Sequence, residues 1–307
     1  MTEVRPPLAQ SSPLLRDAMK GVLALVMACT IWGLSPLFYA LLSDVPPAEV
    51  LAHRTAWSLI VFAGMLALQG RLREVPRALG SARGFLAVLA ASAMISVNWF
   101  LFIFAIQAGR TVEASLGYYI FPLVAVLLGA TVLREGLGRA QLLAVAIAAA
   151  AVITLTIGLG AAPWISLTLA VTFGIYGLLK RWVQAGPVVS VTAEVLILVP
   201  IATVYLIWLG AEAGHFGHDI GTSLLLIASG PMTATPLILF SYATKRVAMA
   251  TVGLVQYLNP TLQFGVAALI LGEVVTPWHM IAFPMIWVAL AIYSWATFSS
   301  KHPKAPT

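Results

Sequence analysis

Gly253, Gln256, Pro260 and Gln263 recur at spacings of three or four residues inside an otherwise apolar stretch, which places them on one face of a helix. Ser115, Tyr118, Tyr119 and Pro122 repeat that pattern, and shorter stripes occur at Trp32, Ser35 and Tyr39, at Ser96, Asn98 and Trp99, and at Thr168, Thr172 and Tyr176. Side chains of these types bind a solute by hydrogen bonding and stacking. They equally serve as interhelical hydrogen bonds that hold a bundle together. Polar groups facing lipid find no water, so stripes on five segments point to a shared polar cavity.

Four ionisable groups lie inside or at the edge of apolar segments. His53 and Arg54 follow Glu49 by about one turn of helix. Arg54 can snorkel to the outer interface, bind a carboxylate on a solute, or pair with a buried glutamate. Glu113 opens its segment, where a helix dipole favours an acid. Glu194 lies among apolar residues about two turns inside its segment, and needs Arg54, a polar neighbour or a transported proton. Glu194 and Glu113 are therefore the proton-coupling candidates, Glu194 the stronger. Pro122 and Pro260 each remove a backbone donor and free a carbonyl about one turn earlier, near Tyr118 and Gln256. They are expected to act as hinges.

Composition sets the surroundings of these groups. The 307 residues are 61% hydrophobic and 9% charged, with a mean hydropathy of +0.97, which excludes an ordinary soluble domain. Ten apolar segments are predicted, at 20–42, 48–69, 85–107, 112–133, 140–158, 164–180, 188–210, 221–243, 248–271 and 278–298. Each is about the length needed to cross a bilayer, the sixth only just. Segment 140–158 carries small residues and almost nothing polar, and suits close packing or a supporting role; segment 278–298 is similar but aromatic.

The net charge of +6 is not a nucleic-acid footprint. With the N-terminus inside, all of the 17 basic residues except Arg54 and Arg110 fall on the cytoplasmic side, as the positive-inside rule requires. Both termini are then cytoplasmic. Residues 1–19 read as a disordered tail without a signal peptide, and 299–307 as a second tail. Cys29 is the single cysteine and reads as an inert buried thiol. The loop 211–220 holds His215, His218 and Asp219, and is expected to be solvated and flexible, since no third ligand has metal-site spacing. No metal, no cofactor and no catalytic constellation is predicted: the chain has no P-loop, no His-Glu-x-x-His and no nucleophile elbow.

Two stretches follow one template. An offset of 138 residues carries Leu116 onto Leu254, Tyr119 onto Tyr257, Pro122 onto Pro260 and Glu135 onto Glu273 without a gap. Ten spans divide into five and five. Five is odd, so the second unit (164–298) enters the membrane from the opposite side to the first (20–158). The predicted fold is an all-α integral membrane protein of ten transmembrane helices in two inverted five-helix repeats, the pattern of transporters that rock one repeat against the other.

Several motifs resemble the RarD-like branch of the EamA transporters, within the drug/metabolite transporter superfamily. They include Ile31-Trp32-Gly33-Leu34-Ser35-Pro36, His53-Arg54 with Trp57-Ser58, Asn98-Trp99-Phe100, and Glu113-Ala114-Ser115-Leu116-Gly117-Tyr118. Further on are Tyr176-Gly177-Leu178, Thr235-Pro236-Leu237, Gln256-Tyr257, Gly272-Glu273 and Ile286-Trp287. The resemblance spans about residues 20–298. It implies ten helices, inverted repeats, a central cavity and a permease of the chloramphenicol-sensitivity type in a bacterial inner membrane. The branch places an asparagine where Phe121 stands, whereas Asn259 keeps it in the second repeat.

The expected function is a secondary transporter of small organic metabolites or amphipathic drugs. Arg54, His53, Asn98, Trp99, Tyr118, Tyr119, Gln256, Tyr257 and Asn259 are expected to bind the solute. The expected partners are that solute and the lipid bilayer, with a homodimer left open and nucleic acid excluded. Two rivals are an intramembrane enzyme using Glu113, His53 or Glu194, marked by turnover without vectorial movement, and a structural or regulatory subunit, marked by a stable partner.

Overall fold

Prolines and polar caps mark where the helices begin. The computed structural model describes residues 13–134, 138–160, 162–247 and 249–299. The expected tails at 1–12 and 300–307, and Glu135 of the repeat, lie outside them. The described helices are α1 (Pro13–Ala40), α2 (Pro47–Leu68), the short α3 (Glu74–Leu79), α4 (Ala82–Gln107), α5 (Thr111–Val132) and α6 (Arg139–Leu159). The second half holds α7 (Trp164–Lys180), α8 (Pro187–Ala213), α9 (Ile220–Thr244), α10 (Met249–Gln256), α11 (Leu258–Gly265), a π-helical turn (Val266–Ile270) and α12 (Pro277–Ser299).

Pro47 and Pro187 stand at the first turns of α2 and α8, where a missing N–H is harmless. Ser81 caps α4 by accepting from the Gly84 N–H at 3.0 Å, and Asp219 caps α9 by accepting from the Thr222 N–H at 2.6 Å. That cap holds the Asp219 carboxyl below its ordinary range. α6 stops at Gly160 in the left-handed region, φ 68°.

Eight of these helices are long and apolar enough to cross a membrane. The remaining two predicted spans differ. α7 has 17 residues, and the segment read as one span over 248–271 is broken at Tyr257 and ends in the π-helical turn. Pro260 falls in the first turn of α11, whereas Pro122 lies within an uninterrupted α5. A second correction concerns residues 13–19, read as disordered tail but helical from Pro13. The Arg246 Nε lies 3.2 Å from the Asp17 carboxylate, which ties the first turns of α1 to the chain just beyond α9.

Packing follows a regular scheme. α5 lies against α7 and α1 against α11; α4 lies against α7 and α1 against α9; α2 lies against α9 and α4 against α8; α2 touches α8 and α6 touches α12. Gly117 and Gly230 permit two of these approaches. A Cβ on Gly230 would stand 2.5 Å from the Trp57 backbone carbon, and one on Gly117 would stand 2.8 Å from the Ser166 carbonyl. The largest apolar cluster joins α5, α6 and α12 through Leu116, Ile120, Leu155, Phe283 and Ile286.

Glu273 ties the end of the second half to the start of α5. Its carboxylate accepts from the N–H groups of Thr111 (2.7 Å) and Val112 (2.8 Å), donors that the helix itself leaves unpaired. Glu273→Ala should destabilise the protein by about 1–2 kcal/mol, read as a lowered melting temperature in detergent, while Glu273→Asp recovers part of the loss.

Candidate functional site

Nine of the helices above surround one cavity of about 360 Å³, within the size range of small-molecule sites. α6 and α12 contribute nothing to its lining, which fits their small or purely apolar faces. α1 supplies Trp32, Ser35 and Tyr39; α4 supplies Asn98 and Trp99; α5 supplies Tyr118 and Phe121. The second half adds Phe173, Tyr176 and Lys180 from α7, Phe240 from α9, and Gln256, Asn259 and Gln263 from α10 and α11. The lining is mainly aromatic, with a few directed polar groups.

Arg54 is the distinctive one. It is 6% exposed and lines the cavity. Its guanidinium lies over the Trp99 ring at 4.2 Å and 5.7 Å from the Tyr39 ring, an arrangement that favours a cation modestly. Among the described residues its Nε has no hydrogen-bond partner. Neither an interfacial position nor a buried glutamate explains it, so of its three predicted roles the solute ligand fits best.

The hydrogen bonds set the rest of the wall. Asn98 Nδ2 donates to the Leu169 carbonyl (2.9 Å) and to Thr172 Oγ1 (3.0 Å), and Asn98 Oδ1 accepts from the Tyr118 hydroxyl (3.0 Å). Asn98 thereby joins α4, α5 and α7 and fixes the Tyr118 ring. Gln263 Nε2 donates to Asn259 Oδ1 at 2.9 Å, and Gln263 Oε1 is buried without a partner among the described residues. Gln263 was named in the stripe but not among the expected ligands. Phe121 packs edge-on against Phe173, ring centroids 4.7 Å apart.

Three expected ligands lie elsewhere. His53 stacks on Phe216 at 4.9 Å. The Tyr119 hydroxyl is hydrogen-bonded to Thr261 Oγ1 at 2.6 Å and its ring packs against Phe283 and Trp287. Tyr257 packs against the α5–α6–α12 cluster. None of the three lines the cavity. Each is a sequence neighbour of a lining residue or its repeat counterpart, and adjacent helical residues point about 100° apart.

The proton-coupling candidates separate clearly. Glu113 pairs with Arg110 one turn earlier, Nη2 to Oε1 2.6 Å, at the end of the bundle and outside the cavity lining. Glu194 is 1% exposed and pairs with Lys180 at 2.5 Å. Its carboxylate also accepts from the Ser190 hydroxyl (2.9 Å) and the Tyr176 hydroxyl (3.0 Å). Lys180, counted in the sequence only among the cytoplasmic basic residues, is the last residue of α7. Its long stem carries the ammonium back into the bundle, and its spacing of four from Tyr176 was the available signal.

The loop at 211–220, expected to be solvated and flexible, is largely exposed over 217–220, but its start is held to α2. His215 donates its backbone N–H to Glu49 Oε1 (2.7 Å), and its Nδ1 lies 2.9 Å from Glu49 Oε2. Phe216 adds its stack on His53. Among the described residues no group of three potential metal ligands forms.

Comparison with known proteins gives this arrangement its place. The profile of the EamA-like transporter family matches residues 19–157. Protein RarD of Streptomyces exfoliatus is 45% identical over 273 residues, covering 86% of this chain and 85% of that protein. The chloramphenicol-sensitive protein RarD of Pseudomonas aeruginosa is 32% identical, covering 92% and 95%. A solved crystal structure at 18% identity superposes with a TM-score of 0.61 over 91% of this chain and 98% of its own, which shows a shared fold alone. The chain is a multi-pass membrane transporter and belongs to the EamA-like transporter family, in its RarD-like branch.

Proposed function

We propose that this chain is a secondary transporter that moves small amphipathic organic solutes across the bacterial inner membrane by alternating access. The observation that carries the reading is a mainly aromatic cavity walled by both halves of the chain, bordered by a buried arginine whose Nε has no hydrogen-bond partner among the described residues. Arg54 anchors an anionic group on the solute; Trp99 and Tyr118 hold its planar or apolar body; Gln256 and Asn259 orient its polar substituents.

Two inverted five-helix units, 20–158 and 164–298, would supply the moving parts. The packing supports this. Exchanging α1 with α7, α2 with α8, α4 with α9, α5 with α10–α11 and α6 with α12 turns each major contact into another one observed. The broken α10–α11 segment, next to Pro260, is the better hinge of the two proline segments. The charge distribution supports cytoplasmic termini. Glu194, not Glu113, would carry a coupled proton, because its partner Lys180 lines the cavity. Turnover chemistry has little support, since His53, Glu113 and Glu194 each have separate partners.

Solute counterflow into proteoliposomes tests the reading, with aromatic acids, their amides and chloramphenicol as the panel. Saturable exchange of one solute class is the expected result. Uptake that stays linear in concentration for every solute, equal to protein-free vesicles, would sink it.

A further inference from the structure

We propose that each solute is a monocarboxylate that travels with one proton, because its carboxylate must pass from Arg54 to Lys180 and Glu194 must be protonated to release Lys180. The inference rests on the carrier reading above and adds the charge of the solute and the stoichiometry of coupling.

The cavity holds two cations at different depths. α2 and α7 enter from the same end of the bundle, since the 41–46 turn and the 160–163 turn both follow an odd number of passes. Arg54 is the eighth residue of α2 and Lys180 the last of the 17 residues of α7. At 1.5 Å per residue the two lie on the order of 10–15 Å apart along the bundle. That separation is between backbones, and both side chains border the one cavity. A solute crossing the protein meets them in turn.

The two cations differ in how they are balanced. Arg54 keeps its proton in any protein environment and has no carboxylate partner among the described residues. It therefore accepts an anion without displacing anything. Lys180 is engaged: its ammonium donates to Glu194 and to Ser190, while its side chain still borders the cavity. An arriving carboxylate competes with Glu194 for that ammonium. Glu194 is 1% exposed, and an ionised carboxylate left unpaired at such a site is strongly disfavoured. It leaves Lys180 at low cost only as the neutral acid, which Tyr176 and Ser190 still hydrogen-bond. Anion binding at Lys180 and proton binding at Glu194 thus favour one another, and the linkage is reciprocal.

Charge balance follows. One negative charge enters on the solute and one positive charge on Glu194, both from the same compartment. When the solute leaves, Glu194 gives up its proton on the far side and pairs with Lys180 again. The cycle moves no net charge. The other ionisable groups on elements packed against α8 are Glu49, His53 and Arg54 of α2, Glu74 and Arg77 of α3, Arg83 of α4, and Tyr242 of α9. Among the described ion pairs Glu194 has Lys180 as its partner.

The test counts protons. The full-length protein is reconstituted in proteoliposomes enclosing a pH-sensitive dye, with potassium and valinomycin clamping the membrane potential, and takes up 3-phenylpropionate, a panel of related aromatic monocarboxylates or the matching amides at pH 7, uptake into protein-free vesicles being subtracted. The expected result is about one proton entering per carboxylate carried, the proton entry vanishing in Glu194→Gln, with the amides carried at least about tenfold more weakly. If Glu194→Gln does not fold, the paired Lys180→Met/Glu194→Gln variant gives the same zero. Saturable carboxylate uptake without proton entry would overturn this inference and leave the anion carrier standing. Amides carried as well as the acids would overturn the anionic solute. Counterflow of a solute that no carboxylate displaces would separate that failure from failure of transport itself.

Discussion

An Arg54→Met variant should lose saturable uptake of carboxylate solutes and melt at a higher temperature than the parent protein. The two effects have one origin. Arg54 is 6% exposed and its charge is compensated by the faces of Trp99 and Tyr39, worth about 0.5–2 kcal/mol. Removing a guanidinium from water costs several kcal/mol. The free protein therefore carries a net penalty at this position, and an apolar side chain of similar length relieves it by about 1–4 kcal/mol. The solute loses what the free protein gains. A charge-assisted hydrogen bond contributes about 1.5–3 kcal/mol, so affinity for a carboxylate falls at least about ten- to a hundredfold. Arg54→Lys should fall between, since an ammonium keeps the charge but loses the two-pronged geometry and the stack on Trp99. Counterflow and thermal melting on the same preparations decide the matter. Unchanged transport would remove Arg54 from the site, and a melting temperature well below the parent's would make it a structural residue.

The sequence stripes located the cavity because helical period is a hard constraint. Arg54, Asn98, Trp99, Tyr118, Gln256 and Asn259 all line it. Adjacency was a poorer guide. Asn98 and Trp99 both reach the cavity although adjacent, whereas His53 beside Arg54 and Tyr119 beside Tyr118, each about 100° round the helix from its neighbour, meet other partners. The long helices were legible from hydropathy, but the first turns of α1 and the short α3 are too polar to show in it, and at Tyr257 a continuous apolar pattern carried no sign of interruption beyond Pro260. Two features were beyond reach. The reach of Lys180 to Glu194 depends on how a flexible stem folds back across two helices. The clasp of Glu49 on His215 depends on a loop conformation that residue types alone leave open. Both join residues on different elements, whose pairing local pattern does not fix.

The Lys180–Glu194 pair makes the second large prediction, and its signature is an asymmetry. Lys180→Met leaves Glu194 buried at 1% exposure with two neutral hydroxyl donors in place of a cation. Removing one partner of a buried pair typically costs about 3–5 kcal/mol. Glu194→Gln should be milder. The amide retains hydrogen-bonding capacity toward Tyr176 and Ser190, and the Lys180 side chain, 22% exposed, lies nearer the helix end and reaches solvent more easily. Removing both charges in Lys180→Met/Glu194→Gln should recover most of the stability, because no uncompensated charge remains. Chemical or thermal denaturation of the four proteins in one detergent closes the cycle. A double variant whose loss equals the sum of the two single losses would mean that the two groups do not interact, and the proton-linked release of Lys180 would fall with the pair. A strongly non-additive cycle would instead fix Glu194 and Lys180 as one unit, so that whatever draws Lys180 toward the cavity must also change the protonation of Glu194.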